Sequence, residues 1–282
     1  MGCPESRAAC CPERWPVSTA HRAEAVLYPA GKSNTPKTPL FPEECPHSML
    51  WGRFPKLTGV LLNAQAGTGA WIFQNWWKSL PAYVEVMPIE LPGQGLRMKE
   101  ARHTCVQSLV HSMLLAISPL LQDLPYVVFG HSMGAWIAYE MAQEAKRLGL
   151  LEPALLIVSA NRAPHLAASH HDVDPTILHT LTYTDFWTAF ERRYGTNPDL
   201  MDHRVKQMVW PWLQADFNLL ETYQGTTSST LTCPLIAVWA LQDNRYTADQ
   251  VAAWGRHCRD FKEHWDITAT HEETEERPSP QE

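Results

Sequence analysis

Short apolar runs alternate with helical stretches from residue 57 to residue 268. Six runs rich in apolar residues predict buried strands, at residues 57–63, 84–89, 126–129, 154–159, 234–240 and 261–268. Helical periodicity between the runs predicts helices at residues 71–79, 106–121, 135–147 and 247–258. Because strands that alternate with helices form parallel sheets, we expect an α/β protein with a mostly parallel sheet flanked by helices.

The alternation stops between residues 161 and 225. Two or three amphipathic helices are predicted there, including 185–193 and 204–221, and no strand pattern interrupts them. Their large apolar side chains are Phe186, Trp187, Phe190, Trp210, Trp212, Leu213, Phe217 and Leu220. We expect a helical lid at about residues 164–225 that excludes water and lines an apolar pocket. The alternative is a set of additional packed helices without a covering role.

The two ends of the chain differ in composition from the region between them. Residues 1–50 are rich in Pro, Cys, Ser and Ala without sustained periodicity, and residues 272–282 are polar and acidic. We therefore expect a poorly ordered N-terminal extension, one folded domain at residues 51–271 and a frayed acidic tail. The start of the chain fits an acylation pattern at Gly2 with Cys3 beside it, but no basic patch supports membrane anchoring.

Composition narrows the classes of partner. The 282 residues are 45% hydrophobic and 19% charged, with a formal net charge of -7 and no run of Lys and Arg, so nucleic-acid binding is not expected. No apolar stretch reaches the roughly 18 residues of a membrane span. The seven cysteines are scattered and odd in number, which is typical of a reducing compartment and not of a disulfide framework or zinc site. We expect a monomeric cytoplasmic protein.

A serine motif follows the third predicted strand. Residues 130–134 read Gly-His-Ser-Met-Gly, between the apolar run that ends at Phe129 and an alanine-rich helix that begins at Ala135. A serine at such a strand-to-helix turn stands at the edge of the sheet, and both flanking glycines are needed because side chains there would collide with neighbouring elements. Ser132 is therefore the candidate nucleophile. The alternative is an ordinary strand–turn–helix joint.

Backbone N–H groups beside the serine predict an oxyanion hole. The N-terminus of the following helix leaves the Met133 N–H unpaired. Enzymes with such a serine turn have their second oxyanion donor in the loop after an early strand, which here is the small-residue loop at residues 64–70. We place that donor at Gln65 or Ala66. A plain strand-to-helix loop is the alternative.

A carboxylate and an imidazole complete the chain order of a catalytic triad. Asp243 follows the fifth predicted strand and His271 follows the sixth, so the order Ser132, Asp243, His271 is that of an α/β-hydrolase. In this arrangement His271 takes the proton of the serine, and Asp243 fixes and stabilises the imidazole. Asp216 is a second candidate for the acid.

A cluster of histidines lies in the region between the fourth and fifth strands. His165, His170 and His171 are close in sequence to Asp172 and Asp174. Adjacent histidines in a loop do not share a helical face, so we predict no metal site. Acyl transfer by a serine, a histidine and an aspartate needs no cofactor either.

Four motifs in order carry a family resemblance. They are Ala66-Gly67, the Leu-Pro-Gly-Gln-Gly-Leu-Arg segment 91–97, residues 130–135 and residues 212–223. Together they resemble the type II thioesterases, the stand-alone hydrolases of nonribosomal peptide and polyketide synthases, which are related to the medium-chain fatty acid synthase thioesterase. The resemblance covers residues 56–271 and implies the α/β-hydrolase fold, with Ser132 as nucleophile, Asp243 as acid and His271 as base.

The resemblance also implies a substrate and a partner. Members of this family hydrolyse acyl or aminoacyl groups from the phosphopantetheine arm of a carrier protein, for editing or for chain release in fatty acid, polyketide or nonribosomal peptide synthesis. This chain departs from the family around its histidine, where Gly-Gly-His-Phe-Phe is usual and Ala269-Thr270-His271-Glu272-Glu273 is present. Carboxylates beside an imidazole favour its charged form, which cannot accept a proton. Two alternatives stay open: a carboxylester or lipid esterase, and a catalytically impaired homologue that binds a carrier protein.

Overall fold

Six strands form one parallel sheet in a computed structural model of the chain. They are β1 (Thr58–Asn63), β2 (Val84–Pro88), β3 (Tyr126–His131), β4 (Leu155–Ser159), β5 (Leu235–Ala240) and β6 (Phe261–Ile267). Their order across the sheet is β2-β1-β3-β4-β5-β6, and every neighbouring pair is parallel. The predicted α/β architecture is confirmed, and all six predicted strands are present.

The structure describes residues 58–81, 83–121, 125–225, 229–240 and 243–267. For residue 58 and residues 262–267 it describes the backbone only. The predicted N-terminal extension, the acylation pattern at Gly2 and Cys3, the acidic tail and His271 lie outside the described residues.

Helices connect the strands. The α-helices in the described ranges are α1 (Val106–Leu121), α2 (Met133–Arg147), α3 (Tyr183–Tyr194), α4 (His203–Glu221) and α5 (Ala248–Ala252). Short 3-10 helices lie at Ala70–Phe73, Trp76–Lys78, Gly95–Arg97, Pro164–Leu166, Ser169–His171, Leu178–Thr180, Pro198–Leu200 and Ala253–His257. None of these helices is both long and apolar enough to cross a membrane.

The prediction of one helix at residues 71–79 is wrong. Two 3-10 helices, Ala70–Phe73 and Trp76–Lys78, occupy this stretch. The rings of Phe73 and Trp76 lie against Phe129 of β3, at centroid distances of 6.2 and 4.9 Å. Aromatic residues lose side-chain freedom in an α-helix. Ring packing on the sheet therefore outweighs the helical periodicity of the sequence.

Side chains of the central strands fill two cores, one on each face of the sheet. Val127 and Phe129 of β3 belong to the core that contains Phe73, whereas Val128 belongs to the core formed with α1 and α2. The two-residue repeat of a strand explains this division. Every residue of β3 and β4 is buried, as continuous apolar runs predict for strands covered on both faces.

The chain leaves the sheet between β4 and β5 to form residues 161–225, called here the β4–β5 insertion. Its helices α3 and α4 are the two that the sequence predicts, and they share a core of their own: Leu178, Phe186, Trp187, Ala189, Leu213 and Phe217. Ala66, in the loop after β1, packs partly buried against this core and also against the core under α2. The insertion thus contacts the loop that contains a predicted oxyanion donor.

A chain of polar groups, buried except for the half-buried His165, connects α2 to the insertion. Nδ1 of His257 lies 3.0 Å from the Tyr139 hydroxyl, and its Nε2 lies 2.7 Å from Nδ1 of His165. Gln143 Nε2 donates to the Tyr139 hydroxyl at 2.7 Å. Burial, with the nearby His165 and Arg256, lowers the pKa of His257 to about 4. His257 is therefore neutral in the fold at pH 7.

Acidification from pH 6.5 to pH 4 should reduce stability through His257. The unfolded chain binds a proton at this histidine below its ordinary pKa of 6.5, whereas the folded chain resists protonation down to about pH 4. The stabilisation is therefore complete above pH 6.5 and is lost as the pH falls toward 4, by up to about 3 kcal/mol. Urea unfolding across this range should give a smaller loss for His257→Gln than for the wild type. His203→Gln, which replaces an exposed histidine, is the comparison, and an unchanged slope in His257→Gln would contradict the assignment.

Candidate active site

Ser132 lies at the turn between β3 and α2. Its backbone angles are φ 51° and ψ −116°. A non-glycine residue rarely adopts positive φ, and such strain costs on the order of 1–3 kcal/mol, so surrounding contacts must enforce it. Two hydrogen bonds do so: the Ser132 N–H donates to the Ser159 carbonyl at 2.9 Å, and Asn161 Nδ2 donates to the Ser132 carbonyl at 2.8 Å. The strained serine is half-buried at the carboxyl edge of the sheet.

Gly130 and Gly134 let three elements approach at this turn. A Cβ at Gly130 would meet the backbone carbonyl of Gly134, and a Cβ at Gly134 would meet the backbone carbonyl of Asn63 at the end of β1. Backbone atoms within packed elements cannot move aside as the end of a side chain can. The prediction that both positions need glycine is confirmed.

The predicted oxyanion donors belong to two segments. Met133 is the first residue of α2 and is buried. Gln65 and Ala66, in the loop after β1, are half-buried. Neither of their N–H groups donates a hydrogen bond to any residue that the structure describes. An N–H group without a protein acceptor is the kind of donor that an oxyanion site requires.

Asp243 lies three residues beyond the end of β5 and is buried. Its N–H donates to the Ala240 carbonyl at 2.9 Å, and its Oδ1 accepts the Arg245 N–H at 2.7 Å. The guanidinium of Arg245 is directed elsewhere, because its Nη2 lies 2.8 Å from both carboxylate oxygens of Asp172. The Asp243 carboxylate is thus set by a turn at the carboxyl edge of the sheet, two strands away from the end of β3.

His271, the predicted base, lies outside the described residues. Strand β6 ends at Ile267 and runs parallel to β5. Chains that leave parallel neighbours emerge at the same edge of the sheet. The approach of His271 to Asp243 stays a prediction of the chain order. The other histidine of the motif, His131, is buried with Nδ1 3.2 Å from the Ser159 hydroxyl.

The sequence profile of the thioesterase domain family matches residues 60–274. The chain belongs to the thioesterase family. It is 32% identical over 217 residues to the Brevibacillus parabrevis protein named linear gramicidin dehydrogenase LgrE, covering 73% of this chain and 80% of that protein. It is 28% identical over 192 residues to the human S-acyl fatty acid synthase thioesterase, medium chain, covering 67% and 70% of the two chains. The predicted resemblance is confirmed.

A solved structure supports the same conclusion. RedJ, the thioesterase of the prodiginine biosynthetic pathway of Streptomyces coelicolor, superposes with a TM-score of 0.71 at 30% identity, covering 80% of this chain and 83% of RedJ. This thioesterase is therefore a hydrolase with the α/β-hydrolase fold, as the sequence predicts.

The second candidate acid of this thioesterase, Asp216, has a different environment from Asp243. It lies in α4 of the insertion, and its Oδ2 accepts the Gly67 N–H at 2.8 Å and Gln94 Nε2 at 3.0 Å. Its Oδ1 lies 2.7 Å from Arg102 Nη1. Within the described part of the chain these partners come from three loops and do not include an imidazole. Asp216 joins the insertion to the loops above the sheet.

The acidic residues near the histidine cluster pair with arginines. Asp172 lies 2.8 Å from both Arg162 and Arg245. Asp174 lies 2.8 Å from Arg192. Burial raises the pKa of Asp174, but hydrogen bonds from Thr176 and Arg192, with the nearby Arg193, outweigh it and hold that pKa well below its ordinary value. The Asp172–Arg245 pair joins the insertion to the segment after β5, whereas the pairs with Arg162 and Arg192 lie within the insertion.

Sequence reasoning misses two residues that shape the site. Asn161, two residues beyond the end of β4, donates to the Ser132 carbonyl, and Glu90, two residues beyond the end of β2, accepts the Ala70 N–H at 3.2 Å. Glu90 is fully buried, and burial raises its pKa, while the Ala70 N–H and Arg97 oppose that rise. Their positions in the sequence could have indicated them. Asn161 and Glu90 each follow the carboxyl end of a predicted strand, where the functional groups of parallel sheets are found.

Proposed function

We propose that this thioesterase hydrolyses acyl or aminoacyl groups from the phosphopantetheine arm of a carrier protein, with Ser132 as nucleophile. The observation that carries the proposal is the strained conformation of Ser132 at the strand-to-helix turn of a thioesterase-family chain. Strain of this kind persists where function requires it. The human relative is named a fatty acid synthase thioesterase and RedJ serves a biosynthetic pathway, which supports an assembly-line substrate.

The proposed reaction has two acyl transfers. Ser132 Oγ attacks the thioester carbonyl carbon while His271 takes its proton, and the C–S bond then breaks as the pantetheine sulfur receives that proton. In the second step water attacks the acyl-serine carbonyl carbon while His271 takes a proton from it, the bond between that carbon and Ser132 Oγ breaks, Oγ receives the proton, and the carboxylic acid leaves. Asp243 orients and stabilises the imidazolium. The N–H groups of Met133 and of Gln65 or Ala66 hold the oxyanion in both steps.

The β4–β5 insertion acts as the lid in this proposal. Its core, which contains Phe186, Trp187 and Phe217, lies against Ala66, one of the two candidates for the second oxyanion donor. A helical cover at this place excludes water from the acyl-serine and offers apolar surface to an acyl chain.

Hydride transfer, which the name of LgrE suggests for that protein, has little support in the residues of this chain. The loop after β1 reads Gly67-Thr68-Gly69-Ala70-Trp71-Ile72, with isoleucine where the dinucleotide fingerprint has its third glycine. The strained serine, in contrast, suits acyl transfer.

Matched substrates test the proposal. The full chain should hydrolyse an acyl group carried on a phosphopantetheinylated carrier protein with kcat/KM at least about tenfold above that for the oxygen ester of the same acyl chain. A preference for the oxygen ester would overturn the proposal in favour of a carboxylester or lipid esterase. No labelling of Ser132 by a fluorophosphonate, with carrier binding retained, would instead favour the impaired carrier-binding homologue that the Glu272-Glu273 pair beside His271 motivates.

A further inference from the structure

The loop after β1 is held at one peptide by the insertion. The Gly67 N–H donates to Asp216 Oδ2 at 2.8 Å, across 149 positions of sequence. Asp216 is 5% exposed, so water does not compete strongly for its oxygens. Hydrogen bonds to a buried carboxylate are stronger than those between neutral groups.

The Ala66–Gly67 peptide, which carries this N–H, is the peptide of the turn that can rotate between two forms. Residues 65–68 form a turn in which the Thr68 hydroxyl and N–H both donate to the Gln65 carbonyl, at 3.1 and 3.5 Å. Gly67 has φ 80°, the value at the third position of a type II turn. Types I and II differ by a flip of the central peptide, here Ala66–Gly67, and glycine tolerates both forms. The glycine itself therefore does not fix the turn.

Asp216 opposes this flip through its charge. In a trans peptide the Ala66 carbonyl points opposite to the Gly67 N–H. A flip would replace the N–H that faces Asp216 Oδ2 with a carbonyl oxygen, which repels the carboxylate and leaves it without a donor. Leu213, one turn before Asp216 in α4, occupies the space beside Gly67 and restricts the same segment.

Asp216 is in turn held by two other segments. Gln94 Nε2, in the loop after β2, donates to Oδ2 at 3.0 Å, and Arg102 Nη1 lies 2.7 Å from Oδ1. Arg102 also donates through Nη2 to the Gly93 carbonyl. Burial raises the pKa of Asp216, and Arg102, the Gly67 N–H and Gln94 each oppose that rise. The carboxylate is thus surrounded by donors on both oxygens.

We propose that Asp216 is a positioning residue on the lid helix α4. By fixing the Ala66–Gly67 peptide, it holds the turn at residues 65–68 in one form and so presets the N–H of Gln65 or Ala66, which lie in the two peptides immediately before the fixed one. This inference rests on the proposed function of that turn. Donors of an oxyanion hole stabilise a transition state only when they are held in place before the charge develops. Seating of the insertion then determines whether the oxyanion hole is formed.

Asp216→Asn tests the proposal, because asparagine keeps the shape of the side chain but loses its charge. We expect kcat for the acyl thioester to fall about 100-fold, with KM changed by less than about twofold. The affinity for an alkyl trifluoromethyl ketone, which adds Ser132 Oγ to its carbonyl carbon and places an oxyanion in the hole, should fall by a similar factor. The affinity for an S-alkyl pantetheine thioether, which has no such oxygen, should not change.

Two further variants complete the test. Asp199→Asn makes the same substitution at an exposed position of the insertion and should leave all three quantities unchanged. Arg102→Gln, whose side chain is 21% exposed, should show the same pattern as Asp216→Asn at about tenfold, and it decides the question if Asp216→Asn does not fold.

Unchanged ketone affinity in a folded Asp216→Asn or Arg102→Gln variant would overturn the proposal, whether or not kcat falls. The ketone needs the serine, the base that takes its proton and the oxyanion donors, but no carrier protein, so its affinity is measured independently of the natural substrate. Failure of the wild type to hydrolyse carrier-bound thioesters would therefore count against the proposed function alone.

Discussion

Ser132→Ala should abolish thioester hydrolysis, with a loss in kcat on the order of 10⁶-fold. The reason is that no other hydroxyl occupies the strained turn between β3 and α2, and residues of a catalytic triad act as a unit. Turnover of the carrier-bound acyl thioester measures the loss. Ser118→Ala removes a hydroxyl on α1 that donates only to the local Leu115 carbonyl and should keep wild-type activity. Substantial turnover by Ser132→Ala would exclude Ser132 as the nucleophile.

The two smallest substitutions at Ser132 should differ in stability. The conformational free energy that a residue with a Cβ loses at φ 51° is the same for alanine and serine. Ser132→Ala should therefore leave the free energy of unfolding nearly unchanged. Glycine accepts this conformation, so Ser132→Gly should raise the free energy of unfolding by about 1 kcal/mol while being equally inactive. Urea unfolding of the two variants measures the difference, and equal stabilities would mean that the turn is not strained.

Asp243→Asn should lower kcat by about 10⁴-fold. Asparagine can still accept the Arg245 N–H at the position of Oδ1, which lies 2.7 Å away in the wild type, so the turn after β5 should persist. The amide cannot stabilise an imidazolium and favours the wrong tautomer of the base. Steady-state kinetics on the same acyl thioester, with thermal unfolding as the check on folding, measure the effect.

The matched control for Asp243 is Asp249→Asn, which neutralises an exposed carboxylate in the first turn of α5. It should retain wild-type kinetics. A folded Asp243→Asn variant that keeps more than a tenth of the activity would remove Asp243 from the triad.

Much of the fold follows from local patterns. The strands were predictable because continuous apolar runs are typical of strands buried on both faces, and β3 and β4 are buried throughout. The turn at Ser132 was predictable because two glycines at fixed spacing are needed where β1, β3 and α2 meet. The stretch at residues 71–79 was mispredicted because the rings of Phe73 and Trp76 pack against Phe129, more than fifty residues along the chain.

The contacts of Asp216 could not be predicted from the sequence, because they too involve residues far away along the chain. Its three donors are 114 to 149 positions away, at Gly67, Gln94 and Arg102. Nothing in the helical pattern around Asp216 distinguishes a triad acid from a carboxylate that holds a loop. A triad acid and a loop-holding carboxylate are each a buried acidic residue beside apolar neighbours.

By itself, the sequence determined the parallel α/β sheet, the thioesterase family and the serine at the strand-to-helix turn, because each depends on short-range periodicity or on a compact motif. Only the tertiary structure decided that Asp216 holds the loop after β1, that Asp172 engages Arg245, and that Asn161 braces the serine. The physical reason is that a carboxylate or amide takes its role from the donors that folding brings to it, and those donors come from distant parts of the chain.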